Sequence, residues 1–200
     1  MPITDRKLSM DELARPSAAS HHAAPKHPIS LLLDDVRSRH NVGSIFRTAD
    51  AFGAEGIVLC GFTPHPPHRE IEKTALGATL SVPWRAVERT VDAVRALQAQ
   101  GYFVWAVEQT LEAHELPTVS LPVDRPLALV LGNEVNGVAD EVVQACDGCL
   151  VVPQVGSKHS LNVSVCAGVV LWHFTAALNR TGNFSTGSRT KATLGPSTGL

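Results

Sequence analysis

The chain has 200 residues, is 44% hydrophobic and 18% charged, and carries a net charge of −2 at pH 7. This composition describes one soluble globular domain and excludes a collagen, a disordered tail protein and a disulfide miniprotein. No run approaches the roughly 18 apolar residues of a membrane-spanning helix, the amino terminus lacks a basic-then-apolar leader, and four scattered cysteines read as reduced thiols, so a cytoplasmic protein with no membrane association is expected.

The charge is uneven. Residues 1–29 are net +1, residues 180–200 carry only Arg180, Arg189 and Lys191, and residues 30–179 are net −6. A core this acidic is no general polyanion binder; a few arginines and the tail would have to supply any phosphate contacts.

Residues 1–29 hold Pro2, Pro16, Pro25 and Pro28 with little apolar periodicity and read as an arm, in which Met10 to Ala14 can form one helical turn. A strand is expected over 30–33. A helix over 41–53 follows, with Asn41 as N-cap, Gly53 just past its end and Val42, Ile45, Phe46, Ala49 and Phe52 on one face. After a strand over 56–60 comes a Pro-rich loop, 61–70, holding His65 and His68. A helix over 90–100 closes at Gly101, with Val91, Val94, Ala96 and Leu97 as its apolar stripe.

Strands over 102–107 and 127–131, a short helix over 139–145 and a strand over 149–152 complete the alternation. The last helix, 161–178, is apolar almost all round through Val163, Val165, Val169, Val170, Leu171, Trp172 and Phe174, which implies burial, with a subunit interface as one way to achieve it. The Gly, Ser and Thr of 180–200 read as a flexible basic tail. Near-continuous apolar strands alternating with helices define an α/β fold over 30–179, with a mostly parallel sheet and helices on both faces.

No stretch reads G-x-G-x-x-G after a strand or G-x-x-x-x-G-K-[ST], which argues against a Rossmann dinucleotide site and a P-loop. Polar clusters instead follow three of the apolar strands, where ligands of open α/β sheets bind. The first, 41–49, comes after Asp34 and Asp35. In it Arg47 points away from the apolar face one turn beyond Gly43, whose missing side chain is expected to leave the guanidinium open to a ligand or RNA. The plainer reading is a surface arginine paired with Asp50 or Glu55.

In the second cluster a buried strand runs into Gly132, Asn133, Glu134 and Gly137. Gly132 is expected to admit a ligand close to the backbone, and Asn133 and Glu134 can bond each other, a neighbouring subunit or a substrate, unless this is simply a strand-to-helix turn. The third runs from Pro153 through Gly156, Lys158, His159 and Ser160 to Asn162. Ser160 fits the N-cap of the last helix and Asn162 a satisfied buried amide, yet the basic and polar groups at a helix N-terminus also suit a phosphate or carboxylate.

Read together, N-x-G-x-x-x-R-x-A at 41–49, L-G-N-E-x-x-G at 131–137 and P-x-x-G-x-x-x-S-L-N-V-S-V at 153–165 closely resemble the three motifs of the SpoU, or TrmH, family of RNA ribose 2′-O-methyltransferases in the SPOUT superfamily. The resemblance implies a C-terminal trefoil knot, an exception to the rule of unknotted chains, and a homodimer. It also implies S-adenosylmethionine as cofactor, held mainly by backbone groups. Its site would comprise Val107, Glu108, Gln109, Leu131, Gly132, Asn133, Glu134, Gly137, Val152 and Leu161. The family's catalytic arginine falls on Arg47, its motif-two acid on Glu134, and its motif-three serine and asparagine on Ser160 and Asn162.

The family proposal makes the arginine a base. An arginine is almost never deprotonated in proteins, so Arg47 is expected to orient the nucleotide and stabilise developing oxyanion charge. No metal is required. Arg37, Arg39, Asn41, Arg47, Arg69, Lys73 and Lys158 are candidates for RNA contact by their location, and the short arm and tail favour tRNA over rRNA as the substrate.

Competing readings are weaker. Cys146 and Cys149 form a lone C-x-x-C without a second pair or an H-x-x-x-H, and the nine histidines do not fall at ligand spacing. A nucleotide hydrolase lacks a metal-binding acid cluster. A non-catalytic RNA-binding or cofactor-sensing protein on the same fold should have lost one of Arg47, Glu134, Ser160 and Asn162, and all four are present.

Overall fold

A computed structural model describes residues 6–9, 17–119 and 125–181. The strands are β1 (His27–Asp34), β2 (Ala54–Cys60), β3 (Trp84–Val87), β4 (Phe103–Val107), β5 (His114–Glu115), β6 (Leu127–Leu131) and β7 (Gly148–Val151). The helices are α1 (Ala18–Ala23), α2 (Arg39–Ala51), α3 (Arg69–Ala75), α4 (Thr90–Ala99), α5 (Asp140–Ala145) and α6 (Val163–Thr181). Among the described residues the strands form one parallel sheet, in the order β3-β2-β1-β6-β4-β7-β5.

Alternation along each strand feeds two cores. Leu31, Leu33, Ile57, Leu59, Leu129 and Leu131 point to one face, where α2, α3 and α6 cover them with Ile45, Phe46, Ile71, Val170, Leu171 and Phe174. Leu32, Val58, Val104, Ala106, Ala128 and Val130 point to the other, under α4 and α5. Both faces are therefore buried, which is why the strands read as unbroken apolar runs. The fold expected from the sequence, α/β with helices on both faces, is the one observed.

Several boundaries differ for local reasons. The first long helix starts at Arg39 rather than Asn41, because the Ser38 hydroxyl caps it by accepting the Asn41 N–H at 3.3 Å. Gly53 follows it with a φ of 60°, as expected. On α4 the buried stripe includes Ala93 and leaves Ala96 exposed. The loop expected over 61–70 gives way to α3, where His68 Nδ1 accepts the Glu70 N–H at 3.2 Å; seven residues with only Ile71 and Ala75 buried carry too little periodicity to read.

The four-residue β3 and the two-residue β5 were not expected. β1 begins at His27, and α1 lies within the stretch expected to be an arm. The last helix begins at Val163, not Leu161, and runs to Thr181, past the expected start of the tail. The turn expected over Met10 to Ala14 and the tail from 182 onward lie outside the described residues.

Candidate active site

The C-terminal ends of β1, β6, β4 and β7 meet at one edge of the sheet, where the chain after β1 turns to β2 on one side while β6 and β4 continue the other. Loops diverging from such a point leave a crevice. The three sequence clusters converge there.

Glu134 joins the second cluster to the first. Its Oε2 accepts the backbone N–H of Arg37 at 2.9 Å, and its Oε1 accepts the N–H of Ser38 at 3.0 Å and the side-chain amide of Asn41 at 2.8 Å. Burial pushes this carboxyl up, but the Arg37 N–H, the Asn41 amide and the Ser38 N–H outweigh it and hold it below its ordinary value of 4.5. Asn41 passes the connection on, since its Oδ1 accepts from Asn162 Nδ2 at 3.1 Å. Asn162 is exposed rather than buried, and its Oδ1 accepts the Ser164 N–H at 2.9 Å and the Ser164 hydroxyl at 2.6 Å. Asn162 therefore caps α6, the place expected for Ser160, while Ser160 is exposed and makes no hydrogen bond among the described residues.

The glycines act differently from expectation. A Cβ on Gly43 would lie 2.1 Å from Thr74 Oγ1 and 2.3 Å from the Ile71 carbonyl, so this glycine lets α3 press onto α2 instead of clearing space for Arg47. At Gly132 a Cβ would sit 2.2 Å from the Gly137 and Val138 backbone. That glycine admits the returning turn, not a ligand. Asn133 fastens the turn: its backbone exchanges two 2.9 Å hydrogen bonds with Gly137, its Oδ1 accepts from Val135 and Asn136, and its Nδ2 donates to the Asp35 carbonyl at 2.7 Å.

Arg47 stands exposed on α2, opposite the buried Val42, Ile45, Phe46 and Ala49, and its guanidinium forms no ion pair or hydrogen bond among the described residues. The surface pairing weighed for it does not form: Asp50 accepts from Ser81, and Glu55 accepts the Tyr102 hydroxyl at 2.6 Å. Of the other cations, Arg37 and Arg39 flank the start of α2, with Arg39 3.5 Å from Glu70 of α3, while Arg69 and Lys73 lie exposed on α3 and Lys158 in the loop after β7.

The residues expected to hold the cofactor come together at the same edge. Val107 pairs in register with Leu131 and Leu150, and Val152 follows directly after β7. Glu108 is committed to protein groups, Oε1 accepting the Gln109 N–H at 2.7 Å and Oε2 the Val138 N–H at 2.9 Å. Gln109 donates to the His159 carbonyl. That is the one hydrogen bond residues 153–161 make among the described residues, so the remaining backbone donors and acceptors of this loop stay open. With half-buried Val107 and Val152 and the partly exposed Leu161 beside it, the loop offers the free amides and apolar surface that suit a nucleoside cofactor bound through backbone groups.

Asp34 and Asp35 matter more than their sequence reading suggested. Asp34 is buried, accepts the Thr90 hydroxyl at the start of α4 and takes the Ala139 N–H before α5 at 3.0 Å. A pair of carboxylates closing a buried apolar run was the available signal. Cys146, half of the lone C-x-x-C, has its thiol pushed up to about 12, first by burial and then by the neighbouring Cys149, which keeps it protonated and unreactive.

Set against known proteins, residues 28–172 match the profile of the SpoU rRNA Methylase family. The chain belongs to that family. It is 36% identical over 146 residues to a 23S rRNA (guanosine-2'-O-)-methyltransferase RlmB from Vibrio parahaemolyticus, covering 72% of this chain and 58% of that protein. The TrmH/SpoU tRNA modifying enzyme of A. aeolicus superposes with a TM-score of 0.71 at 25% identity, over 84% of this chain and 85% of that one. An AdoMet-bound rRNA methyltransferase from Sinorhizobium meliloti gives 0.68 at 31% identity, over 80% and 60%. The chain spans about three-fifths of the length of the curated relatives it matches.

Proposed function

We propose that this chain transfers a methyl group from S-adenosylmethionine to a ribose 2′-hydroxyl of RNA. The observation that carries the reading is the hydrogen-bonded line Glu134, Asn41, Asn162, which ties all three motifs together beside an open backbone loop and an arginine without a protein partner. The names of the relatives support it, one being a guanosine-2′-O-methyltransferase acting on 23S rRNA and another an rRNA methyltransferase with AdoMet bound.

S-adenosylmethionine, when bound, supplies an electrophilic methyl on a sulfonium. The protein must then align the ribose oxygen in line and favour its negative charge. We assign the cofactor's adenosine to the 153–161 backbone, with Val107, Val152 and Leu161 as walls and the end of β6 at Leu131 and Gly132 packed beneath. Glu108, Gln109, Asn133 and Gly137 shape that site by fixing its loops. Arg47 keeps its charge at any physiological pH, so its role is to hold the nucleotide and stabilise the developing alkoxide, not to remove the proton. The unbonded Ser160 hydroxyl is free to reach the ribose. Glu134 is saturated by three donors and held ionised, and it acts as a positioning residue for the start of α2.

Residues 30–179 form the catalytic unit in this reading, working in the cytoplasm. The path of the chain from β7 at one side of the sheet back to α2 at the other supports a C-terminal knot. A homodimer is supported by α6, which exposes Val165, Val169 and Trp172 at intervals of four and three residues beside a groove of about 500 Å³ that takes in Leu116, Val152 and Trp172. RNA phosphates are assigned to Arg37, Arg69, Lys73 and Lys158.

The test is to supply methyl-labelled S-adenosylmethionine with separate, unmodified tRNA and rRNA pools and digest the RNA to nucleosides. Label in a 2′-O-methylnucleoside is expected, and the pool that carries it identifies the substrate class. Label on a base, or cofactor binding with no label in RNA, would reject the reading.

A further inference from the structure

We infer that Phe62 is a stacking platform for an unpaired nucleobase of the RNA at the rim of the methyl-transfer site, an inference that rests on the RNA substrate proposed above. Phe62 is 64% exposed, although a phenylalanine in water forfeits the burial that normally keeps it inside. Its backbone, by contrast, is fixed. Asp35 Oδ1 accepts the Phe62 N–H at 2.9 Å, and the Thr63 hydroxyl donates to the Leu33 carbonyl and accepts the Val36 N–H, both at 3.0 Å.

The clamp uses unfavourable conformations. Asp35 has a φ of 53°, where a residue with a side chain seldom sits, and Gly61 has a φ of 62°. A Cβ on Gly61 would lie 1.9 Å from the Asp35 carboxylate, so only glycine lets the carboxylate reach the Phe62 N–H. The same short segment meets the active-site network, since the Asp35 carbonyl accepts from Asn133 and the Arg37 N–H donates to Glu134. Phe62 is thus presented rigidly beside the residues that organise the site. Arg37 lies on this segment, and the Arg39–Glu70 ion pair brings the start of α3, with Arg69, next to the start of α2.

An exposed aromatic face, with cations on the neighbouring segments, is what single-stranded RNA recognition uses, bases stacking on rings while cations take the phosphates. The reaction gives a reason for it. A base that leaves its stack when its ribose is drawn into the site finds a new partner on such a ring.

The experiment measures initial rates of methyl transfer against RNA concentration for the full-length wild type, Phe62→Ala, Phe62→Leu and Phe62→Trp. Affinity for a short fluorescein-labelled single-stranded RNA, affinity for S-adenosylmethionine, and sedimentation are measured alongside. Roughly a tenfold rise in KM for RNA is expected for Phe62→Ala, persisting in Phe62→Leu and reversed in Phe62→Trp, with cofactor affinity and mass unchanged. Equal KM in Phe62→Ala and wild type would overturn the proposal while leaving the proposed function intact. RNA affinity that depends on Phe62 in a wild type without methyl transfer would overturn the function and keep the platform. Failure of the wild type to bind RNA would overturn both, and a fall in mass of Phe62→Ala would assign the ring to a subunit contact instead.

Discussion

Glu134 holds the segment that leads into α2 from 97 residues away, and its effect belongs to side-chain chemistry alone. Replacing it with alanine removes the acceptor for Arg37, Ser38 and Asn41, and we expect a loss of roughly 1–2 kcal/mol, in the range of a lost N-cap. The pH dependence follows from its depressed pKa. The contribution is fully present above the ordinary value of 4.5 and is lost as the pH falls through the lower folded value. Denaturant unfolding should therefore separate wild type from Glu134→Ala at pH 7 and bring them together in acid; a gap that persists in acid would mean that the charge is not what holds α2. At this scale the sequence was a good guide to which residues matter and a poor one to what they do. Asn41, Glu134 and Asn162 were legible because they belong to polar clusters that follow apolar strands, but their mutual bonds span chain separations that no local pattern encodes. Ser160 and Asn162 show how narrow the margin is: both are good N-cap residues two positions apart, and the tertiary bond to Asn41 accompanies the cap at Asn162.

Among the elements, the contact between α2 and α3 is the one the sequence hid. Gly43 was legible as special, yet its reason lay in a helix too short to read, whose Thr74 and Ile71 occupy the space a side chain would need. Gly43→Val should lower stability by about 1–3 kcal/mol through overpacking, or displace α3. Thermal unfolding checks it, and a variant as stable as wild type would show that α3 is not pressed against α2. The long strands and α4 were legible because their burial is complete on one or both faces. β3 and β5 were not, since four and two residues at sheet edges are ordered by pairing with β2 and β7 rather than by their own pattern.

For the molecule as a whole, the two-core sheet explains why a chain with no phosphate-binding fingerprint still carries a site: the glycines and carboxylates after β1, β4 and β6 spend their hydrogen bonds on fixing loops, leaving the 153–161 backbone open. The apolar character of α6 was visible in the sequence, and so was a subunit interface as one way to bury it, but not which of its residues stay outside the chain's own core. Trp172, 62% exposed, lies on that face, and Trp172→Lys should convert the proposed dimer to monomer in sedimentation; an unchanged mass would place the subunit contact elsewhere or remove it. The central claim, that this site methylates RNA through Arg47, is tested most directly by measuring methyl transfer and S-adenosylmethionine affinity on the same preparations of wild type and Arg47→Ala. We predict that transfer falls by roughly 100- to 1,000-fold or more while cofactor affinity and melting temperature hold, because Arg47 has no partner to lose among the described residues. Equal loss of transfer and cofactor binding, or undiminished transfer, would contradict the account.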